Sequence, residues 1–296
     1  MPFSDYLEYI QYEKRYSQHT CISAQTDLKQ FSDYLLEHFE IFDLNIVAQL
    51  HIRSWIAYLA ESGLSNRTIQ RKLSTLRSFY KFKMRNQEMQ NSPLEGIIAP
   101  KNVERLPQFI EQDSITKSLM SGELFEDSEK GERDAMILKL LYYTGMRLSE
   151  LIHIKMSDID VDNKTIRVVG KRNKERLIPI SEKFVKEIQN YKLKREGLKS
   201  QEKISPFLLL TDGGKKLYPK FVYRKVNQYL TRVTTLTKKS PHVLRHSFAT
   251  HMLNNGADLN AIKEILGHAD LTATQVYTHN SIEKLKYVHK QAHPKG

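Results

Sequence analysis

The sequence predicts a mainly α-helical chain with a small β-sheet, an α+β protein divided into two domains. Helical patterns of apolar residues fill most of the chain before residue 90, and a stretch with three spaced prolines follows, from Pro93 to Pro107. Beyond it, two short segments rich in β-branched residues lie among further helical patterns. We therefore expect a helical domain at residues 1–92, a linker at 93–107, a second domain at 108–280 and a tail helix at 281–296.

The charge of the chain is strongly basic and unevenly placed. The formal net charge is +12 and the pI is about 9.5, which indicates an anionic polymer as partner. Residues 1–50 carry 3 Lys and Arg against 8 Asp and Glu, whereas residues 51–100 carry 8 against 3. The first hundred residues are therefore neutral overall, and the whole excess lies in residues 101–296.

Several classes of protein are excluded by composition. The single cysteine, Cys21, leaves no disulfide framework and no cysteine-based zinc finger. No apolar run approaches the length that spans a membrane, and the first ten residues are acidic and amphipathic, unlike a signal peptide. We expect a cytoplasmic protein with no membrane partner.

Four helices are predicted in the first domain. They lie at residues 2–17, 22–39, 46–61 and 66–86, with Leu50 among the core positions of the third and Ser65 as the N-cap of the fourth. The fourth carries seven basic residues and no acidic one, and Arg67 and Arg71 share a face because they lie four residues apart. Such a face is ordinarily a solvated surface. The absence of any acid favours contact with a DNA backbone, through Arg67, Arg71 and Lys72.

The second domain combines helices with two predicted strands. The helices are expected at residues 132–144, 181–195 and 219–231, the strands at 164–170 and 176–180, and a third short strand at 207–210. Lys220 and Arg224, on the third of these helices, are further candidates for phosphate contact.

The stretch from Ser240 to Asn280 carries the chemistry of the chain. His242 and Arg245 are three residues apart and share a helix face, His268 follows the helix that Gly267 ends, and Tyr277 comes nine residues later. A phenol is a competent nucleophile when cations stabilise its oxyanion, and Arg binds phosphate in a bidentate manner. Together these residues predict phosphoryl transfer through a covalent phosphotyrosine.

A zinc site and a helix-turn-helix that only binds DNA are the alternatives for this stretch. His242 and His246 have the spacing of a zinc pair, but Val243 stands where zinc-protease helices carry an acid, and Arg245 would repel a metal. Residues 258–278 are compatible with the helix-turn-helix. The complete set of residues favours catalysis, with no metal and no cofactor.

Candidates for the remaining catalytic groups lie upstream. Arg147 follows the helix stop Gly145, and Glu150 lies three residues on, where it can brace Arg147 from behind or form an ordinary surface ion pair. A lysine at the tip of the predicted hairpin could act as a general acid, because neighbouring Arg charges lower its pKa. The turn contains Lys171, Arg172 and Lys174, and the residues alone do not choose among them.

With these motifs placed, the chain resembles the tyrosine recombinases, and most closely those of the Xer type. The resemblance rests on TGMRLSE around Arg147, Gly170-Lys171 in the hairpin, HVLRH around Arg245, LGH ending at His268, and Tyr277. It covers nearly the full length of the chain, and the order and spacing of the motifs are specific in combination.

The resemblance implies an N-terminal helical core-binding domain of the SAM-like type and a tyrosine-recombinase catalytic domain, which clamp DNA like a C. It implies these roles: Arg147 and Arg245 bind the phosphate, Lys171 protonates the leaving 5′ oxygen, His242 and His268 act as hydrogen-bonding and acid/base groups, and Tyr277 is the nucleophile. It also implies that the tail helix docks on a neighbouring subunit.

The activity implied is site-specific recombination through a 3′-phosphotyrosine and a Holliday junction. The partners implied are double-stranded DNA with an inverted-repeat site, a tetramer with identical or related subunits, and an FtsK-type DNA translocase. Chromosome dimer resolution, and with it chromosome partition and cell division, is the expected task. The alternatives are a mobile-element integrase, a DNA invertase, a type IB topoisomerase and a non-catalytic helix-turn-helix regulator.

Overall fold

The structure is a computed structural model that describes residues 3–101, 108–170, 174–197, 205–267 and 279–293. The chain divides into two compact units, Met1–Arg105 and Leu106–Gly296, and each has a hydrophobic core of its own. The predicted fold class, mainly helical with a small sheet, is confirmed.

The N-terminal unit is a small helical bundle. Its helices are α1 (Ser4–Glu8), α2 (Gln18–Phe39), α3 (Gln49–Glu61) and α4 (Asn66–Arg85). The single helix predicted at residues 2–17 is wrong, because a π-helical segment, Tyr9–Glu13, follows α1 directly. The predicted N-cap is confirmed, since the side chain of Ser65 accepts a hydrogen bond from the backbone N–H of Thr68.

The core of this unit forms around the apolar face of α4. Leu73 and Leu76 are fully buried, as are the flanking residues Ile69 and Tyr80. The prediction that Leu50 lies in the core is wrong: α3 begins only at Gln49, and Leu50, in its first turn, is 58% exposed.

Part of the predicted linker packs with the N-terminal unit. Leu94 and Ile97 belong to its hydrophobic core, and the Arg77 guanidinium on α4 donates to the Ile97 carbonyl at 3.0 Å. The amide of Gln70 donates to the carbonyl of Pro100 at 2.7 Å. The boundary between the two units accordingly falls between Arg105 and Leu106.

The C-terminal unit contains the other helices. Their bounds are α5 Gln112–Ser121, α6 Glu129–Thr144, α7 Leu148–His153, α8 Glu182–Gly197, α9 Pro219–Val233, α10 Pro241–Asn254, α11 Leu259–Leu266 and α12 His279–Ala292. Helix α6 is buried on nearly all sides, which is typical of a central helix. Helix α10 packs on it, with the Tyr142 hydroxyl 2.8 Å from Nδ1 of His251.

The described strands form an antiparallel sheet in the order β1 (Ile159–Asp160), β2 (Thr165–Val169) and β3 (Glu175–Pro179). The predicted bounds of the β2–β3 hairpin are confirmed to within one residue at each end of both strands. The strand predicted at 207–210 is wrong, because Phe207 and Leu210 make only isolated bridges. The residues between them are apolar because they fill the core as irregular chain, with exposures of 0% and 1%.

The tail helix α12 packs on its own C-terminal unit. Ala292 is 2% exposed within the core, and its carbonyl accepts a hydrogen bond from Nδ2 of Asn255 at 2.8 Å. Nε2 of His293 lies 2.9 Å from the carbonyl oxygen of Tyr143, at the end of α6. Docking on a neighbouring subunit concerns an assembly of several chains, and it stays a prediction.

In the parts of the chain that the structure describes, no helix is long and apolar enough to cross a membrane.

Candidate active site

Arg147 is held at the junction between α6 and α7. It is the N-cap residue of α7, and its backbone N–H donates to Oε2 of Glu150 at 2.7 Å, while its Nη1 donates to Oε1 at 2.9 Å. A carboxylate at the third position of a helix commonly accepts from the N-cap N–H in this way. The predicted pairing of Arg147 with Glu150 is therefore present in the structure.

Arg245 reaches the same junction from α10. Its Nη1 donates to the carbonyl of Gly145 at 2.5 Å, and its Nη2 donates to the carbonyl of Leu266 at 2.7 Å. Nη2 of Arg147 donates to the next carbonyl, that of Gly267, at 2.8 Å. Carbonyl groups at helix ends lack intrahelical partners and attract cations, so the ends of α6 and α11 orient both guanidinium groups.

A close turn at Gly145 makes this convergence possible. Its φ is +60°, a backbone conformation that disfavours other residues, and a Cβ added there would lie 2.5 Å from Cδ1 of Phe248. Glycine is therefore required for α10 to pack against the end of α6, where Arg245 meets the Gly145 carbonyl.

The pair of arginines is electrostatically suited to an anion. Burial, together with the charges of Arg147 and Arg176, lowers the pKa of Arg245 to about 10, against the opposing charge of Glu150. The guanidinium remains protonated at neutral pH. Because the side chain of Arg147 is 33% exposed, solvent or a ligand can reach its guanidinium group, whereas Arg245 is only 6% exposed. An arriving phosphate would relieve the repulsion between the two cations.

Arg176, on β3, is a member of this cluster that the sequence motifs did not predict. It is 5% exposed, and its Nη1 and Nη2 donate to the two oxygens of Glu150 at 2.8 Å each. Its Nε donates to the carbonyl of Ile265 at 2.7 Å. A signal was available, because strand alternation puts Arg176 on the same face as the apolar Ile178, where a charge needs a partner.

Glu150 joins the two arginines and is itself buried, at 4% exposure. Burial alone would raise the pKa of this carboxyl, but hydrogen bonds from Arg176 and Arg147 outweigh burial and hold the pKa below its usual value. Glu150 is therefore an anion at neutral pH. One negative charge stands against three guanidinium groups, and the cluster stays positive.

His242 lies in the first turn of α10 and is exposed, one turn before Arg245. His246, half-buried on the next turn, has a lowered pKa because of burial and the nearby His242. Within the described ranges, no group of three or more His, Cys, Asp or Glu side chains is placed to hold a metal ion.

Lys171, His268 and Tyr277 lie outside the described residues. The structure does describe Gly170, which precedes Lys171, and Gly267, which precedes His268. A Cβ on Gly170 would lie 3.7 Å from Oε1 of Glu150, and a Cβ on Gly267 would lie 3.1 Å from Cδ of Arg176. Both segments accordingly leave the described structure from positions beside the Glu150–Arg176 pair.

The DNA-contact candidates of this unit lie at its surface. Lys174, Lys220 and Arg224 are exposed, and Nη2 of Arg224 lies 3.4 Å from the Tyr218 hydroxyl. Their contact with DNA stays a prediction.

In the N-terminal unit, the prediction that Lys72 contacts DNA is wrong. Lys72 is 3% exposed, and its ammonium group donates to Oδ1 of Asp27 at 3.0 Å and also bonds Gln30. The same carboxylate accepts two hydrogen bonds from the half-exposed Arg71. Arg67 is exposed and remains a candidate. The local pattern of α4 gives no sign of Asp27, because Asp27 lies on α2, far from α4 in sequence.

Comparison with known proteins establishes the family. Residues 98–284 match the model of the phage integrase family, and residues 3–87 match the model of the phage integrase N-terminal SAM-like domain. The chain belongs to the phage integrase family. Its predicted membership of the tyrosine recombinases is confirmed, and it is accordingly an enzyme of the site-specific recombinase type.

Curated relatives of Xer type match almost the whole chain. Tyrosine recombinase XerC of Staphylococcus saprophyticus is 38% identical over 98% of this chain and 96% of its own length. XerC of Chlorobaculum parvum is 33% identical, covering 98% of this chain and 93% of its own. Tyrosine recombinase XerD of Staphylococcus aureus is 34% identical over 99% and 98%.

Solved structures share the fold. The XerH site-specific recombinase bound to difH substrate has a TM-score of 0.70 and 23% identity, covering 89% of this chain and 78% of that one. The Tn1549 transposon integrase in complex with circular intermediate DNA also has a TM-score of 0.70, at 21% identity, covering 94% and 96%.

Proposed function

We propose that this chain cuts and rejoins DNA at a specific site, with Tyr277 as the nucleophile and a 3′-phosphotyrosine as the intermediate. The observation that carries the proposal is the convergence of Arg147 and Arg245 on the ends of α6 and α11, with Glu150 behind them. Two guanidinium groups fixed by helix-end carbonyls, with Arg147 33% exposed, suit the non-bridging oxygens of a phosphodiester.

In the cleavage step, the phenol oxygen of Tyr277 attacks the scissile phosphorus and the bond from phosphorus to the 5′ oxygen breaks. Arg147 and Arg245 stabilise the charge that develops on the non-bridging oxygens, and their fixed positions avoid reorganisation during the reaction. Lys171 gives its proton to the leaving 5′ oxygen, while His242 and His268 hydrogen-bond the phosphate and exchange the phenol proton.

In the rejoining step, a 5′ hydroxyl attacks the phosphotyrosine, restores a phosphodiester and releases the phenol of Tyr277. Bond energy is conserved, so the reaction needs no nucleotide cofactor. Two successive exchanges, through a Holliday junction, recombine two sites held by four subunits. A type IB topoisomerase would use similar groups without a second DNA site, and a two-site assay separates the two activities.

We propose chromosome dimer resolution as the biological task, in the cytoplasm, and so a role in chromosome partition and cell division. The fold does not favour this task over DNA integration, since the XerH recombinase and the transposon integrase match equally well. The support comes from sequence identity of 33–38% to XerC proteins over nearly the whole chain. The proposed partners are inverted-repeat duplex DNA, identical or related subunits and an FtsK-type translocase.

The proposed nucleophile is Tyr277. The Tyr277→Phe variant should bind its DNA site normally and form no covalent adduct, because it lacks only the attacking oxygen. A nicked suicide substrate that carries the target site, analysed on a denaturing gel, measures the adduct. DNA recovered from covalent complexes in cells supplies the site.

The matched control is Tyr287→Phe, which removes the hydroxyl of an exposed tyrosine on α12. It should form the adduct as the wild type does. A covalent band that survives in Tyr277→Phe would refute the assignment.

The wild-type reaction should also proceed in excess EDTA, since guanidinium groups supply the charge that a metal would otherwise supply.

A further inference from the structure

Arg176 contacts three segments of the C-terminal unit at once. It lies on β3, donates to both oxygens of Glu150 on α7, and donates to a carbonyl in the last turn of α11. We propose that Arg176 is a positioning residue for DNA cleavage. It holds three parts of the unit in fixed relative positions: the hairpin before Lys171, the carboxylate of Glu150 that supports Arg147, and the turn before His268. This inference rests on the proposed function.

Arg176 is connected, through Glu150, to Arg147 of the phosphate-binding pair. Each oxygen of Glu150 accepts from both arginines: Oε1 from Nη1 of Arg176 and Nη1 of Arg147, and Oε2 from Nη2 of Arg176 and the Arg147 backbone. The planar, bidentate contact with Arg176 fixes the orientation of the carboxylate. Because Glu150 holds Arg147, the orientation of Arg147 depends on Arg176.

Arg176 is also connected to the end of α11. Nε of Arg176 donates to the Ile265 carbonyl, while the next two carbonyls accept from Arg245 and Arg147. Gly267 has a φ of +65° and lies flat on the Arg176 side chain, where a Cβ would come within 3.1 Å of Cδ and Nη1. Arg176 therefore sets the place from which the chain continues to His268.

Arg176 is connected to the hairpin as well. Arg176 pairs in register with Val168 across β2 and β3, and the N–H of Gly170 donates to the Lys174 carbonyl at 2.8 Å to close the strand pair. A Cβ on Gly170 would lie 3.9 Å from Nη1 of Arg176. The described part of the hairpin thus ends, at Gly170, close to the Arg176 guanidinium.

Only arginine can make all these contacts. A lysine ammonium could replace one bond to Glu150, but it could not span both oxygens and the Ile265 carbonyl. An apolar residue of similar length, such as methionine, would fill the volume and leave Glu150 buried with Arg147 as its direct ion-pair partner. Arg245 is a further cation whose charge acts on the Glu150 carboxylate.

The test compares Arg176→Met and Arg176→Lys with the wild type, using single-turnover cleavage of the suicide substrate between pH 5.5 and 8.5. Misplacement of a catalytic group by about 1 Å can cost about 10²-fold in rate, so Arg176→Met should cleave about 100-fold more slowly while half-site binding is retained. Arg176→Lys should give an intermediate rate.

The pH profile separates positioning from general destabilisation. Without Arg176, only the hydrogen bonds from Arg147 oppose the effect of burial, and the pKa of Glu150 rises. Arg147 then loses its anionic support as the pH falls. Cleavage by Arg176→Met should therefore increase with pH relative to the wild type, and Arg176→Lys should restore the wild-type profile. Arg133→Lys is the matched control, because Arg133 is also 5% exposed and pairs with Asp134 and Asp212, away from this cluster.

Wild-type rates in Arg176→Met would overturn the inference. The inference would also be overturned if the loss of cleavage in Arg176→Met matched its loss of thermal stability, left the pH profile unchanged and was equally large in Arg133→Lys. If Arg176→Met does not fold, Arg176→Lys decides: slower cleavage with normal binding supports positioning, and wild-type cleavage overturns it. A wild-type protein that forms no adduct would refute the proposed function itself, which distinguishes the two failures.

Discussion

Among the described residues, basic side chains differ both in their exposure and in whether a carboxylate neutralises them. Arg147 and Arg176 share Glu150, with Arg147 part exposed and Arg176 buried. Lys72 is neutralised by Asp27 beneath the surface of the N-terminal unit, whereas Arg67 is exposed on the same helix. A count of bases along a helix therefore overstates the charge available to DNA.

Arg67→Ala should weaken DNA binding at all sequences and reduce the slope of log K against log salt by about one, as expected for one lost phosphate contact. Gel-shift titrations at several salt concentrations measure the slope. Lys29→Ala is the control, because Lys29 lies on α2 and pairs with Asp33 at the surface. An effect confined to one base pair of the site would contradict backbone contact.

Arg71 is a poor choice for that experiment. Asp27 is 0% exposed and accepts hydrogen bonds from Arg71, Lys72 and Thr75. Removing Arg71 leaves the buried negative charge of Asp27 with fewer cationic partners, which destabilises the fold. A loss of DNA binding could then come from unfolding as well as from the lost phosphate contact.

At the scale of elements, α12 closes the core of the C-terminal unit. Val288 packs against that core and Ala292 lies in it, and His289 on α12 and His293, directly after its end, are buried as well. The rings of His289 and His293 stack with centroids 4.2 Å apart. Burial lowers the pKa of His289 to about 4, against an opposing hydrogen bond at the Tyr143 backbone.

The packing of α12 should weaken in acid. The folded pKa of His289, about 4, lies below the unfolded value, so the unfolded chain binds more protons between pH 4 and 6.5. The stabilisation is complete above about pH 6.5 and is lost as the pH falls towards 4, by about 3 kcal/mol in the free energy of unfolding. His289→Leu should reduce this dependence.

Urea unfolding followed by circular dichroism across this pH range measures the effect. His153→Gln, which replaces an exposed histidine in the same unit, should behave as the wild type. Trp55 is the single tryptophan and lies in the N-terminal core, so its fluorescence should show no change on His289→Leu. Equal pH slopes in the wild type and His289→Leu would refute the role of His289.

At the scale of the whole molecule, the described part of the site belongs to one unit. Arg147, Glu150, Arg176 and Arg245 all lie in Leu106–Gly296, and the packing of α12 on this unit joins the tail to the same body. The predicted docking of the tail on a neighbour requires that α12 first leave this position. Tail exchange would then link the placement of Tyr277 to correct assembly.

Locking the tail in place should test this exchange. Asn255→Cys with Ala292→Cys, in a Cys21→Ser background, replaces two residues joined by a hydrogen bond from Nδ2 to a carbonyl oxygen. The oxidised protein should bind a half-site normally but lose cooperative binding and strand exchange, and a reductant should restore both. Normal recombination by the oxidised, cross-linked protein would show that the tail works on its own subunit.

The sequence by itself determined the order of the helices, the hairpin and the stretch that carries His242 and Arg245, because helix caps, apolar periodicity and motif spacing are local properties. Glu150 could be predicted as the support of Arg147 because the two are three residues apart. Only the tertiary structure decided that Arg176 completes the cluster, since its partners lie 26 and 89 residues away in the chain. For the same reason the sequence misassigned Lys72, whose charge is cancelled by Asp27, 45 residues distant on another helix. Strand alternation indicates that Arg176 faces the core, but the groups it meets there depend on what the fold brings together, which a local pattern does not specify.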